Sequence, residues 1–488
     1  MNEATPRMKA VPKPLSPRKQ AIRERNDRLA PERAHWRAKN SYFHADNIRY
    51  MRFLVAPGLE VLELGCGTGD LLAALEPTRG VGLDLSSGMV QAARQKYPDL
   101  IFHEGDLEDS EVLAEISGTF DVIILSETVG DLEDVEAAFT GLHHLCRPDT
   151  RLIVSYHSSL WKPLLHLAVA IGQKMPVEPD NWLSIADIEN LLTLADFEII
   201  KHERRQLVPK WLFGIGPLIN RFVATLPIIR HACLYNYIVV RPLRGFVHNE
   251  LSTSIIIPAR NERGNIEPAI TRTPKFCKDM EFIFIEGHSS DGTLEEIRRV
   301  KNVYPEHDIK IEVQDGIGKG DAMRKGFDIA RGDVLMILDA DLTMPPEQLP
   351  KYYEALVSNK GEFINGTRLV YPMQRDAMQL LNYAANHTFS LLFSWLLNQR
   401  FTDTLCGTKV LRRSDYLRIA ANRAYFGNFD PFGDFDLIFG AARLNLKTVE
   451  VPIRYASRAY GETQISRFRH GWLLLRMVLF AYRKMKAL

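Results

Sequence analysis

The sequence predicts an α/β protein built from two doubly wound domains, and three observations lead there. Its 488 residues, 46 % hydrophobic and 25 % charged, match ordinary globular usage and allow two or three domains. Two separate series of short β-rich runs alternate with helical stretches. Each series also carries its own chemistry at a strand end, a glycine turn in the first and a pair of aspartates in the second.

In chain order, residues 1–40 hold eleven Lys/Arg against four Asp/Glu, a net of +7, with prolines and charges where a secretion signal would need an apolar stretch. They read as a disordered, solvated arm, with attraction to anionic lipid headgroups as the sharper reading. The whole chain carries only +1, which argues against a nucleic-acid partner. Five scattered cysteines without CxxC spacing (Cys66, Cys146, Cys233, Cys277, Cys406) point to reduced thiols in a cytoplasmic protein without structural zinc.

Residues 41–243 form the first expected domain. The runs VLELGCG, GVGLDL, FDVIILS and RLIVSY are candidate parallel strands, closed by FEIIKHERRQLV and LYNYIVVRPL. Residues 244–251 lack periodicity and read as a linker. Residues 252–488 form the second domain, opened by STSIIIPAR, MEFIFIEG, IKIEVQ and DVLMILDADL.

No stretch reads as a transmembrane helix of the ~20 apolar residues a bilayer requires. Ala377–Gln399 is free of charged residues but rich in Asn, Ser and Thr; Trp211–Ile229 holds Arg221; Trp472–Tyr482 is followed by Arg483, Lys484 and Lys486. These resemble interfacial segments and suggest peripheral contact with the inner face of the cell membrane.

In the first domain Glu63-x-Gly65-x-Gly67-x-Gly69 follows one strand and enters a helix. Glycines there let the backbone turn tightly against a nucleotide at the carboxyl end of the sheet. Asp84 ends the next strand, where a carboxylate can accept both ribose hydroxyls, and Asp106 follows the third. The dehydrogenase pattern GxGxxG is absent, which places NAD second. VLELGCGTG, GLDLSSGMVQAAR, EGDL and FDVIILS with LHHLCRPDTRLIVS, in that order, resemble the class I S-adenosylmethionine-dependent methyltransferases over about 45–243. The resemblance implies a Rossmann-like fold with Gly65, Cys66 and Gly67 at the methionine part, Asp84 at the ribose, Asp106 and Leu107 at the adenine, and Ser126 where the acceptor pocket begins. Among His143, His144 and His157, His157 is the foremost candidate base, since the other two sit in an expected helix.

In the second domain Asp339-Ala340-Asp341 ends the apolar run VLMIL. Two carboxylates spaced i, i+2 at a strand end can share a hard cation that holds a departing nucleotide diphosphate. Together with IIIPARNERGNI, FIEGHSSDGT and GIGKGDAMRKGFDIARGD upstream, they resemble family-2 glycosyltransferases of the nucleotide-diphospho-sugar (GT-A) fold, most of all dolichyl- and polyprenyl-phosphate sugar synthases, over roughly 252–470. The resemblance implies Pro258, Ala259, Arg260, Asn261, Glu262 and Glu286 around the nucleoside, Lys319 at the diphosphate, and Asp339 and Asp341 at Mg²⁺ or Mn²⁺. It also implies Arg368, Arg375 and Arg458 at phosphate oxygens. Asp434 occupies the position of a general base in hydroxyl-glycosylating relatives, with Asp436 two residues on. A phosphate acceptor arrives ionised and needs no base, so both acceptor types stay open. The QxxRW element of processive synthases is missing, and Gln464 stands where many lipid-phosphate relatives carry lysine. The expectation is a bifunctional, non-processive, inverting transferase of a sugar to a polyprenyl phosphate or other lipid-linked acceptor, which also methylates a related glycan or lipid. The alternative is a hydroxyl-directed glycosyltransferase with a non-catalytic S-adenosylmethionine-binding module.

Overall fold

The computed structural model describes residues 14–177, 181–246, 249–368, 370, 380–427, 433–453, 456, 460 and 467–488. The chain divides into two compact units, residues 1–246 with 487–488, and residues 247–486.

The first unit is built on a seven-stranded sheet: β1 (Glu60–Leu64), β2 (Arg79–Asp84), β3 (Ile101–Glu104), β4 (Phe120–Ser126), β5 (Cys146–His157), β6 (Phe197–Arg205) and β7 (Tyr235–Pro242). The order is β3-β2-β1-β4-β5-β7-β6. β1 to β5 pair in parallel, while β7 runs antiparallel between β5 and β6. Parallel strands buried on both faces require near-continuous apolar runs, and Leu62, Leu64, Ile123, Leu125, Leu152 and Val154 are fully buried. The chain reverses spatial direction between β1 and β4, the switch point at which such sheets open a crevice beyond their carboxyl ends.

Residues 17–39, expected as a disordered arm, are instead helical over Pro17–Leu29 and Arg33–Lys39. Ser16 caps the first helix by accepting from the Lys19 amide. Ion pairs and hydrogen bonds rather than an apolar stripe hold this segment: Arg25 pairs with Asp131 at 3.5 Å and Arg37 with Asp70 at 3.3 Å, and Asp27 accepts from the Ser86 hydroxyl at 2.5 Å and the Gly88 amide at 2.9 Å.

The second unit carries β8 (Thr253–Ala259), β9 (Met280–Glu286), β10 (Asp308–Val313), β11 (Val334–Ile337), β12 (Phe363–Thr367), β13 (Lys409–Arg412) and β14 (Thr448–Pro452), ordered β10-β9-β8-β11-β13-β12-β14. β8 to β11 are parallel; β13 lies antiparallel between β11 and β12. Both sheets are therefore mixed, not wholly parallel. Among the described residues no helix is long and apolar enough to cross a membrane.

Candidate functional sites

The crevice of the first unit is a cavity of about 140 Å³. Gly65 and Gly67 line it from the loop after β1, both in the left-handed region at φ +73° and +52°. A side chain at Gly65 would collide with Thr128, so glycine there is required by packing as well as by conformation. Asp84 is buried at the end of β2; its Oδ2 accepts from the Gly67 amide at 2.7 Å and its Oδ1 from the Ser86 amide at 2.9 Å. Burial raises its carboxyl above the ordinary value, against the pull of those two amides. Asp106, Leu107 and Ser126 also line the cavity.

Three expected contacts stand behind the wall. Glu63 is buried, and its Oε2 accepts from the Leu72 amide at 3.0 Å, so it caps the helix Asp70–Ala74; burial pushes its carboxyl up to about 8. The Cys66 thiol packs beneath Gly82, and burial raises it far above its usual value. Gly69 is the left-handed N-cap of the same short helix, with Phe102 against it.

The helical arm supplies what the motifs do not. Lys19 pairs with Asp106 and, at 2.8 Å, with Glu108; burial lowers the ammonium, but these two carboxylates outweigh it and raise it. Lys19, Ile22, Asn26 and Arg33 line the cavity. Glu127, directly after β4, was also missed, although a carboxylate just past a strand end satisfies the rule that picked out Asp106. His143 Nε2 donates to the Ala195 carbonyl at 2.6 Å and the ring stacks on Phe197, while His144 donates to the Gly141 and Leu113 carbonyls; both are tied into packing. His157 instead lines a second cavity with Glu127.

In the second unit a cavity of about 270 Å³ opens at the carboxyl ends of β8, β9 and β11. Pro258, Ala259, Arg260, Glu262, Lys319, Asp339 and Asp341 line it. Lys319 opens the helix Lys319–Ile329, whose first turn faces the cavity through Gly318, Lys319 and Ala322. An eleven-residue helix pointing its N-terminus into a cleft favours an anion there. Lys319 Nζ lies 2.6 Å from Asp339 Oδ1 and 3.9 Å from Asp434 Oδ1. Burial raises the Asp339 carboxyl, but Lys319, Lys409 and Arg368 outweigh this and hold it below its ordinary value. Asp341 Oδ1 accepts from the Thr343 amide at 3.1 Å and hydroxyl at 2.8 Å, which fixes its rotamer.

Among the described residues no group of three or more His, Cys, Asp or Glu could hold a metal ion. Two carboxylates suit Mg²⁺ or Mn²⁺ all the same, because such ions are commonly held by one or two carboxylates together with substrate phosphates. Asp339 and Asp341 would hold the ion, which would neutralise charge on a departing diphosphate.

Asn261 and Glu286 do not line the cavity. Asn261 Oδ1 accepts from the Ser290 amide at 2.9 Å, and the buried Glu286 accepts from the His288 and Ser289 amides at 3.1 and 2.6 Å. They shape the loop behind the cavity wall. Arg368 forms a forked pair with buried Asp403, Nε to Oδ2 at 2.6 Å and Nη2 to Oδ1 at 2.7 Å, so its guanidinium is committed within the protein rather than presented to an acceptor. Arg375, Arg458 and Gln464 lie outside the described residues. Sequence reasoning missed Asp403, the fully buried Lys409, which lies 3.7 Å from Asp434, and Gly407, where a side chain would collide with Asp339. Asp436 pairs with Arg423 at 2.9 Å.

Each of these two sites lies at the carboxyl edge of its own mixed α/β sheet. Residues 33–202 match the family described as Methyltransferase domain, and residues 254–418 match Glycosyl transferase family 2, so the chain carries one domain of each kind. It is 37 % identical over 121 residues to a dolichol-phosphate mannosyltransferase of Saccharomyces cerevisiae, covering 24 % of this chain and 44 % of that protein. It is 25 % identical to the undecaprenyl-phosphate 4-deoxy-4-formamido-L-arabinose transferase of Proteus mirabilis, covering 44 % of this chain and 62 % of that protein. The chain thus spans about half the length of these curated relatives. A solved SAM-dependent methyltransferase, possible histamine N-methyltransferase, from Thermotoga maritima is 16 % identical, covering 45 % of this chain and 99 % of that one at a TM-score of 0.34, a likeness too weak to carry an argument.

Proposed function

We propose that the chain transfers a sugar from a nucleotide-diphospho-sugar to a polyprenyl phosphate or other lipid-linked acceptor, and a methyl group from S-adenosylmethionine to a related glycan or lipid. The observation that carries the sugar half is the pair Asp339 and Asp341 at the mouth of the second unit's cavity, beside Lys319 and the N-terminus of its helix. Diphosphate, cation and helix N-terminus are complementary in charge there. Arg260 and Glu262 line the same cavity on the nucleoside side. Asp434 is engaged with two ammonium groups, Lys319 at 3.9 Å and Lys409 at 3.7 Å, which favours an acceptor that brings its own negative oxygen over a hydroxyl that needs a base. The named activities of the two curated relatives agree with a lipid-phosphate acceptor.

Peripheral contact with an anionic membrane fits the surface of each unit. In the first, residues 158–177 and 204–236 contain seven Lys/Arg and no Asp or Glu, and the Trp161 indole donates to the Ala232 carbonyl at 2.8 Å, tying the two stretches together. Leu164, Leu167, Phe213 and Ile228 stand exposed on them. In the second, the helices Leu380–Leu397 and Arg467–Ala481 bury Phe393, Leu396 and Val478 but expose Leu391, Trp472 and Leu479. Apolar side chains flanked by cations suit a lipid headgroup boundary.

The test supplies the full chain with Mg²⁺ or Mn²⁺, undecaprenyl phosphate in detergent, and labelled UDP- and GDP-sugars. Label is expected in the organic phase with one donor and absent with Asp341→Asn. Equal background for both proteins with every donor would contradict the reading.

A further inference from the structure

A second cavity of the first unit, about 170 Å³, shares Arg33, Glu127, Asp131 and Val177 with the cofactor cavity. The two cavities are therefore neighbours, with these four residues lining both. Glu127 sits in this shared lining, in the left-handed region at φ +61°; its amide donates to the Ser155 carbonyl at 2.7 Å, and its Oε1 accepts from the Tyr235 hydroxyl at 3.1 Å. His157 ends β5 on the same cavity. Its ring stacks on Phe43 at 6.0 Å and meets Tyr235 edge-on at 5.2 Å, so aromatic neighbours fix its plane.

Charge decides what can enter. Arg33 and Arg37 from the helical arm, Lys174 and Lys210 face two carboxylates, Glu127 and Asp131, with His44 beside them. Burial away from water raises the Glu127 carboxyl, but His157, His44, Arg33 and Lys174 outweigh it and bring it down to about 2. The same burial lowers His157 below its ordinary value, with Lys174 adding to this and Glu127 opposing it. His44 is brought down to about 4, chiefly by burial and by Arg37. At neutral pH the cavity thus holds an ionised glutamate and a neutral imidazole. An ammonium acceptor would meet an excess of cations over carboxylates, and an acceptor carboxylate, already ionised, would leave the imidazole without a role. A hydroxyl carries no charge and requires a base. Phe43, Leu165, Met175 and Leu234 add apolar wall on which the carbon skeleton of an amphiphile can rest.

Building on the methyl-transfer reading, we propose that this second cavity is the methyl-acceptor site, that it takes a hydroxyl of an amphiphilic sugar, and that His157 is the base, with Glu127 as its positioning residue. The acceptor hydroxyl gives its proton to a ring nitrogen of His157 as its oxygen forms the new C–O bond. The S–C bond of the sulfonium breaks, and its electron pair returns to sulfur, leaving a neutral thioether. The positive charge passes to the imidazolium, which the Glu127 carboxylate stabilises.

The experiment uses the full chain loaded with S-adenosylhomocysteine and three probes with one tail, octyl β-D-glucopyranoside, octylamine and octanoate, each below its micellar concentration. Saturation-transfer NMR reads binding, and methyl-labelled S-adenosylmethionine then reads transfer. The glucoside is expected to bind and to take the label. His157→Asn should lower kcat for it about 100-fold while its binding and that of S-adenosylhomocysteine change less than about threefold. Glu127→Gln removes the carboxylate that opposes the lowering of His157, so the rising limb of the pH profile should move to lower pH, a shift that a purely structural role would not produce. Labelling of octylamine or octanoate in place of the glucoside, an unimpaired His157→Asn protein, or binding of none of the probes would overturn the proposal. Failure to bind S-adenosylhomocysteine would instead overturn the methyl-transfer reading beneath it.

Discussion

On the proposed reading the two units solve one problem, holding a charged nucleotide derivative at the carboxyl edge of a sheet, in different ways. The sugar-transfer cavity draws Pro258, Lys319 and Asp339 from ends of β8 and β11 and from one helix, so its residues come from contiguous motifs. The methyl cavities are closed by a segment far away in sequence, through Lys19 and Arg33. Polar, cation-dependent chemistry needs charges on rigid strand ends. Methyl transfer from a sulfonium to a hydroxyl gains from a site closed to water, and a covering helix serves that end.

Substitutions can break this comparison at either end. The largest effect is expected for Asp341→Asn, a fall in sugar transfer on the order of 1,000-fold, with S-adenosylhomocysteine affinity unchanged by calorimetry. Gly407→Ala forces a methyl group into Asp339, and sugar transfer should drop about 100-fold because the carboxylate is displaced by a fraction of an ångström or more. In the first unit, Lys19→Met leaves Asp106 and Glu108 facing each other without their ammonium. S-adenosylhomocysteine should bind about tenfold more weakly and the unit should lose roughly 1–2 kcal/mol by thermal melting; unchanged affinity would show that the arm does not belong to the site.

A further effect concerns Glu63 and appears only with pH. Its folded value, about 8, lies above its ordinary 4.5. Such a group contributes stability that is fully present below pH 4.5 and is lost as pH rises through 8. The melting temperature of the wild type should therefore fall between pH 5 and pH 9 relative to Glu63→Gln, whose amide can still accept from Leu72 but cannot ionise. Parallel pH dependence of the two proteins would mean that Glu63 is not buried against the helix.

What was legible in the sequence follows the same divide. β1, β2, β4, β5, β8, β9 and β11 announce themselves because strands covered on both faces are largely apolar, whereas the edge strands β3 and β10 are partly exposed and mix polar with apolar residues. β12 to β14 do not announce themselves, because their buried positions include Asn365, Thr367 and Lys409. The Asn365 side-chain amide donates to the distant Asp403 carbonyl at 2.8 Å and to Glu450 Oε1 at 3.2 Å, partners that no local pattern reveals. The helices of the arm carry no apolar stripe and are held by ion pairs to Asp70, Asp106 and Asp131, so their composition reads as solvated chain. Motif residues at the crevices were found by position; the partners that orient or occupy them, Asp403 for Arg368 and Lys409 beside Asp434, lie outside any motif.

The central claim is that one chain holds two separate transfer sites, and calorimetry on the full protein tests it most directly. UDP and GDP are titrated in with Mn²⁺, then S-adenosylhomocysteine, against wild type and Asp341→Asn. The account predicts that one nucleoside diphosphate and S-adenosylhomocysteine each bind one per chain, and that the substitution abolishes the Mn²⁺-dependent event alone. Diphosphate binding that survives Asp341→Asn, or the absence of either binding event in the wild type, would contradict it.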